Sequence, residues 1–158
     1  MTGPATKLVN QRSAARMAAV QALYQMDIAH TDIADVIAQF HTHRFGAEGE
    51  GGAPDSADRL FFAELLRGVV RRQRDIDPML DGKLAEGWRL NRLDSILRAT
   101  LRAAAFELVE RRDVPAKVVV NEYVNVAKDF FSGDEPKVVN AVLDKIAREQ
   151  RAAEFGNG

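Results

Sequence analysis

Three basic residues near the amino terminus are the clearest candidates for chemistry in this sequence. Lys7, Arg12 and Arg16 are the only charged residues between Met1 and Met26, and the first carboxylate is that of Asp27. Arg12 and Arg16 are one helical turn apart at the start of a predicted helix, where the macrodipole favours acids over bases. This placement indicates an external anion such as phosphate, although a basic helix end without any partner has the same pattern.

Other kinds of chemistry have few candidate residues. The chain has no cysteine, which excludes disulfides, thiol nucleophiles and zinc sites built on cysteine. On a helix, His41 and His43 would point about 200° apart, so surface histidines are favoured over a metal site. The glycine-rich stretch 49–52 follows no predicted strand, lacks the lysine of a phosphate loop and carries a carboxylate. We therefore predict a linker there and not a phosphate-binding loop. We therefore expect no enzyme, no metal and no cofactor.

Two further sets of arginines lie at helical spacing. Arg67, Arg71 and Arg74 are one and two turns apart, and Arg98 and Arg102 share one face of another predicted helix. Either set can contact phosphate groups. An ordinary solvated surface explains both sets equally well, and we favour that interpretation for them.

Length and composition indicate one soluble globular domain. The chain has 158 residues, of which 46% are hydrophobic and 28% charged. Its formal net charge is −1, so any affinity for nucleic acid must come from where the charges lie rather than from their sum. No apolar run is long enough to span a bilayer, and the amino terminus lacks the pattern of a secretory signal. We expect a cytoplasmic protein with no membrane contact.

The spacing of the apolar residues predicts an all-α fold of antiparallel helices in one or two small bundles. The triplet Val118 to Val120 suggests a strand by propensity, but the apolar residues around it repeat at helical spacing, so a buried helix is predicted there. The predicted helices run from about Asn10 to Ala29, from a cap at Thr31 or Asp32, from after Ser56 to a break or kink near Pro78, from Leu90 to Val109, from Pro115 to Gly133, and from a cap at Asp134.

The domain boundaries follow from the same pattern. Residues 1–9 are predicted to form a basic flexible arm, and residues 10–152 a single helical domain. Residues 46–56, rich in glycine and glutamate, are predicted to form a mobile loop within that domain. Residues 153–158 are predicted to be a disordered tail.

Five segments together resemble the NusB family. They occur in order over nearly the whole chain, and two of them hold the DVP-x-KV-x-x-NE and VN-x-VLDK motifs. The segments are VQALYQMDIA at 20–29, FFAELLRGV at 61–69, ILRATLRAAAFEL at 96–108, RDVPAKVVVNEYVNVAKDF at 112–130 and KVVNAVLDKIA at 137–147.

This resemblance implies a fold and a set of partners. It implies about seven helices in two small bundles. It also implies an RNA-binding transcription antitermination factor that binds single-stranded boxA RNA of ribosomal RNA leader transcripts, together with a small-subunit ribosomal protein (NusE) and the transcription elongation complex. Single-stranded RNA is recognised by phosphate contacts from arginine and lysine and by contacts to exposed base edges. Some members form homodimers that cover the basic arm, and the sequence leaves monomer and homodimer open.

The resemblance also assigns candidate RNA-binding residues. The arginine-rich first helix of the family corresponds here to Arg12 and Arg16, preceded by Lys7. This segment has fewer arginines than that of the most basic relatives, because Ser13 and Ala14 stand where those carry further arginines. The assigned RNA-binding set is Lys7, Arg12, Arg16, Asn121, Lys128, Asp134 and Lys137.

Three polar positions in the family motifs have a structural explanation as well. An N-cap of the last helix explains Asp134 without RNA and is favoured. Internal hydrogen bonding between helices is favoured for Asn140, and for Asn121 the two interpretations stay open. Val138 stands where some members have an aromatic residue, and the loss of that stacking costs on the order of 1–3 kcal/mol of RNA affinity.

Two alternative functions follow from the same sequence. The fold also occurs as a domain of an RNA cytosine methyltransferase, but that enzyme needs a cysteine nucleophile and a further cofactor-binding domain, and neither is present here. The second alternative is a helical adaptor that binds an acidic protein surface without recognising an RNA sequence.

Overall fold

A computed structural model describes residues 4–44 and 58–156, in which every element of secondary structure is a helix and no strand occurs. The predicted all-α class is confirmed, with six α-helices in these residues instead of about seven helices. They are α1 (Pro4–Ala29), α2 (Ile33–Gln39), α3 (Arg59–Lys83), α4 (Ser95–Glu110), α5 (Ala116–Phe130) and α6 (Glu135–Gln150). Shorter helical turns cover Phe40–Arg44, Leu90–Arg92 and Ala152–Phe155.

Some element boundaries differ from those predicted. Helix α1 begins at Pro4 instead of Asn10, so it includes most of the segment predicted as a flexible arm. It ends at Ala29, as predicted, and His30 follows with a φ of 54°, the left-handed conformation that commonly ends helices. The predicted loop 46–56 lies outside the described residues.

Aspartates cap three of the helices. Asp32, Asp58 and Asp94 each accept a hydrogen bond from a backbone N–H two or three residues further on, at distances between 2.8 and 3.3 Å. Such caps satisfy N–H groups that have no partner within the helix. Of the two predicted capping residues, Asp32 is therefore the one used for α2. Helix α3 is capped by Asp58.

Two ambiguous sequence signals are resolved by the helices. The valine triplet lies in α5, so the prediction of a helix there is correct. Helix α3 continues through Pro78, so the predicted break does not occur. Proline removes one hydrogen bond within the helix, which leaves a backbone carbonyl one turn earlier without its helical partner.

The chain divides into two compact units, Met1–Arg67 and Gly68–Gly158. In the first unit, α1 packs on α2, and the small residues Ala15, Ala19 and Ala22 of α1 are fully buried. Phe40 and Phe62 are also buried and stack on each other, with ring centroids 5.2 Å apart. These buried residues belong to the core of the first unit.

In the second unit, α4, α5 and α6 pack against one another. Residues 99–108 of α4 are almost all buried, so this helix forms the centre of the unit, as its sequence predicted. Gly68 lies against Phe106, and a Cβ atom at Gly68 would be 2.1 Å from the Phe106 ring. This contact requires glycine.

A buried arginine holds the carboxyl end of α6. The Arg151 guanidinium donates hydrogen bonds to the backbone carbonyls of residues 107, 108, 111 and 114 and to the Glu154 carboxylate. Glu154 also accepts a hydrogen bond from the Ala116 N–H, which together with Arg151 lowers the pKa of Glu154. The turn after α6 is therefore tied to the connection between α4 and α5, within the segment predicted as a disordered tail.

No helix within the described ranges is both long enough and apolar enough to cross a bilayer.

Candidate nucleic-acid interface

The two arginines of α1 lie over one aromatic ring of α3. Arg12 and Arg16 are one turn apart on α1, and the Cζ atom of each is 5.1 Å from the centroid of the Phe61 ring. A guanidinium at this distance is attracted by the electron-rich face of the ring. Phe61 is buried and therefore provides a fixed platform for both cations.

A carboxylate accompanies these arginines. The Oδ2 atom of Asp58 lies 3.8 Å from the Nε atom of Arg12. The sequence argument considered acids close to the arginines along the chain, whereas Asp58 reaches Arg12 through the fold. Lys7, Arg12 and Arg16 are together called the basic arm from here on. This basic arm thus has an internal counter-ion that the sequence pattern did not indicate.

The residues of the basic arm differ in their access to solvent. The Arg12 side chain is 27% exposed, whereas Arg16 is only 2% exposed. In this conformation Arg12 can be approached from outside, and Arg16 is covered. Lys7 lies within α1, and its side chain is outside the described part of the structure.

A second group of candidates lies on one face of α5. Asn121 and Lys128 are two turns apart and both are exposed. They belong to the second compact unit, whereas the basic arm belongs to the first.

A groove of about 750 Å³ lies between α5 and α6, with Asn121 on one wall and Asn140 on the other. Both side chains are exposed, and neither has a hydrogen-bond partner among the described residues. The groove is electrically mixed rather than basic. Its lining consists of Lys117, Val118, Val120, Asn121, Val124, Asn140, Asp144, Arg148, Glu154 and Phe155.

Asn140 is a residue that sequence reasoning misjudged. Internal hydrogen bonding was the favoured interpretation, but the side chain faces the groove. The sequence contained a signal for this, since Lys137, Asn140, Asp144 and Arg148 form a polar row at helical spacing along α6. A polar row of this kind is typical of an exposed helix face.

The beginning of α6 carries the last pair of candidates. Asp134 occupies the N-cap position, but its side chain makes no capping hydrogen bond. Its Oδ1 atom instead lies 3.8 Å from Nζ of Lys137, with both side chains more than 85% exposed. The favoured explanation, an N-cap, holds for the position of Asp134 and not for its side chain. Val138 is half-buried beside them.

The other basic residues divide into two kinds. Arg98 donates to the backbone carbonyls of Leu90 and Leu93, and Arg102 makes two hydrogen bonds of 2.9 Å with Asp77. These two arginines therefore bind other parts of the fold, and the prediction that they form an ordinary solvated surface is wrong. Residues 67, 71 and 74 on α3 are exposed, in agreement with the interpretation as a solvated surface.

Of the two histidines, His41 and His43, only the side chain of His41 lies in the described part of the chain. His41 lies against Phe62, and burial, followed by the charge of Arg59, lowers its pKa. The side chain of His43 is outside the described residues. Within those residues, no group of three or more potential metal ligands comes together.

Comparison with solved structures identifies the class of this fold. NusB from T. maritima is similar with a TM-score of 0.75 and 26% identity, covering 99% of each chain. The solution structure of NusB from Aquifex aeolicus is similar with a TM-score of 0.67 and 23% identity, covering 90% of this chain and 91% of that one. The chain has the all-helical fold of the solved NusB proteins.

The sequence comparisons define the family. The NusB family model matches residues 13–148. A protein from Rhodopseudomonas palustris is 53% identical over 152 residues, covering 96% of this chain and 90% of the relative. One from a Bradyrhizobium species is 56% identical over 147 residues, covering 93% and 87%. The chain belongs to the NusB family.

Both relatives carry the name transcription antitermination protein NusB. This is the name of a transcription factor and not of an enzyme, in agreement with the expectation from the sequence.

Proposed function

We propose that this chain is a transcription antitermination factor that binds boxA-type single-stranded RNA of ribosomal RNA leader transcripts. It acts together with the small-subunit ribosomal protein NusE and the transcription elongation complex, and it promotes ribosomal RNA synthesis. It works in the cytoplasm, where the nascent transcript is made.

The observation that carries this proposal is the identity with relatives named transcription antitermination protein NusB, which is 53% over 96% of the chain for one of them. A structural neighbour, 21% identical and with a TM-score of 0.68, is described as antitermination factors NusB and NusE in complex with double-stranded RNA. It shares the fold with this chain.

The basic arm is proposed to bind RNA phosphates through Arg12, which is the more exposed of its two arginines. Arg16 lies over the same Phe61 ring but is covered, so it is proposed to add positive charge beside Arg12. Lys7 is proposed as a further phosphate contact. Charge-assisted hydrogen bonds from arginine and lysine are the usual means of holding phosphate oxygens.

The second unit is proposed to add contacts to phosphates and bases. Lys128 and Lys137 are exposed cations suited to phosphates. Asn121 carries both a donor and an acceptor, which suits it to a base edge. Asp134 accepts hydrogen bonds only, so it would take a base amino group and not a phosphate.

Titration of labelled boxA RNA with the chain, with and without the ribosomal protein, tests this function. We expect weak binding to the chain alone, because Val138 lacks the aromatic stack and the arm has few arginines, and tight binding once the ribosomal protein is present. Arg12→Ala is expected to weaken binding. Arg74→Ala is the matched control, since Arg74 is an exposed arginine outside the proposed interface.

A generic single-stranded RNA of equal length separates the proposal from its alternative. A preference for the boxA RNA supports the proposed function. A chain that binds the ribosomal protein but shows no preference between the RNAs would be a protein-binding adaptor, and the proposal would be wrong.

A further inference from the structure

We infer that Asp58 is a built-in competitor for the RNA phosphate at Arg12, and that it sets the RNA affinity of the basic arm. This inference rests on the proposed function of the arm. It is carried by the ion pair between Asp58 and Arg12, which lies beside the Phe61 ring.

The position of Asp58 is fixed independently of Arg12. Its Oδ1 atom caps α3 by accepting a hydrogen bond of 2.9 Å from the Phe61 N–H. Its backbone N–H donates to the carbonyl of Gln11 on α1, and its own carbonyl accepts from the Phe62 N–H, both at 3.0 Å. The carboxylate therefore cannot move away when an external anion approaches.

The ion pair between Asp58 and Arg12 is weak. The distance of 3.8 Å between Oδ2 and Nε is too long for a hydrogen bond, and the Arg12 Nε atom is buried with no hydrogen-bond partner. A phosphate oxygen at hydrogen-bond distance from the guanidinium would interact more strongly than this carboxylate does. Phosphate can consequently replace Asp58 as the partner of Arg12.

The carboxylate still opposes the phosphate after this exchange. The side chains of Arg12 and Asp58 are only 27% and 22% exposed, so water and salt screen their charges less than on an open surface. A phosphate bound at Arg12 lies near a fixed negative charge, and like charges at short distance repel. Neutralising Asp58 should thus strengthen RNA binding.

Asp58→Asn tests the inference without removing the helix cap, because asparagine and aspartate cap helices about equally well. We expect RNA to bind roughly two- to fivefold more tightly, the scale of a single partly exposed ion pair. Asp32→Asn is the matched control. Asp32 caps α2 in the same way, lies in the same compact unit and makes no ion pair with an arginine among the described residues, and its substitution changes the net charge equally.

The double variant Asp58→Asn with Arg12→Ala should bind RNA as weakly as Arg12→Ala alone, since the competition acts only through Arg12. Circular dichroism verifies that the helices are retained, and Asp58→Ser, which also preserves a cap, replaces the asparagine variant if that one fails to fold.

The outcomes distinguish this inference from the proposed function. If wild-type chain binds boxA RNA through Arg12 but Asp58→Asn binds no better than Asp32→Asn, the inference is wrong and the proposed function stands. An equal gain with and without Arg12 also overturns the inference. If Arg12→Ala leaves RNA binding unchanged, the proposed role of the arm is itself wrong.

Discussion

At Gly68 a single added carbon atom has a large expected effect. The Cβ atom of alanine would lie 2.1 Å from two ring atoms of Phe106, which is itself almost completely buried. Because the ring has no free space to move into, Gly68→Ala should destabilise the fold by roughly 1–3 kcal/mol, as overpacking of a core does. Urea denaturation monitored by circular dichroism measures this as a lower midpoint.

Gly82 is the matched control for that substitution. It lies on the same helix, and a Cβ atom there would meet nothing within 4 Å. Gly82→Ala should be neutral or stabilise by up to about 1 kcal/mol, since alanine favours the helix. Equal midpoints for the two variants would show that Phe106 can move aside.

Single residues were the hardest features to predict from the sequence. The spacing of Arg12 and Arg16 correctly placed both on one helix face, but it could not reveal that Phe61 lies beneath them or that Asp58 lies beside them. Both of these contacts join residues that are far apart in the chain. For the same reason, the burial of Arg16 could not be recognised from a pattern that resembles an exposed cationic turn.

At the scale of elements, Arg151 connects three parts of the second unit. Its guanidinium is almost completely buried and bonds to backbone carbonyls at the end of α4 and in the connection that leads to α5. Arg151→Met keeps an apolar stem of similar length but leaves these carbonyls without their donor. We expect a loss of roughly 3 kcal/mol in the free energy of unfolding, as for charged hydrogen bonds that are buried.

Arg148→Met provides the comparison on the same helix. Arg148 pairs with Asp144 at 3.0 Å, but its side chain is 57% exposed, and exposed ion pairs contribute less than about 1 kcal/mol. Thermal denaturation of both variants measures the difference. Similar melting temperatures would mean that water replaces the Arg151 contacts at little cost.

Helices were predicted well because their signal is repeated along many residues. The apolar columns of α5 outweighed the strand propensity of the valine triplet, since several residues supported the helix at once. Helix ends depend on single hydrogen bonds, and more than one nearby residue is able to form such a bond. The sequence placed the start of the third helix after Ser56, whereas the structure has Asp58 as the cap of α3.

At the scale of the whole molecule, the net charge of −1 means that RNA is attracted by local clusters of cations and not by the total charge. A chain without excess positive charge attracts RNA only where cations are concentrated, so few phosphates should be neutralised. The slope of log affinity against log salt is about −0.7 per phosphate contact for single-stranded nucleic acid. We expect a shallow slope, which titrations at several salt concentrations measure.

Removing two lysines tests which surface produces that slope. Lys128→Ala with Lys137→Ala should flatten it by roughly 1.4, because each lost phosphate contact removes about 0.7. Lys145→Ala is the control, as Lys145 is an exposed lysine of α6 outside the proposed set. A smaller affinity with an unchanged slope would mean that Lys128 and Lys137 contribute to binding without neutralising phosphate. If Lys145→Ala flattens the slope by half as much as the double variant does, the three lysines have equal effects and there is no reason to place the RNA on this face. In a nearly neutral protein, local contacts and not total charge must distinguish the lysines.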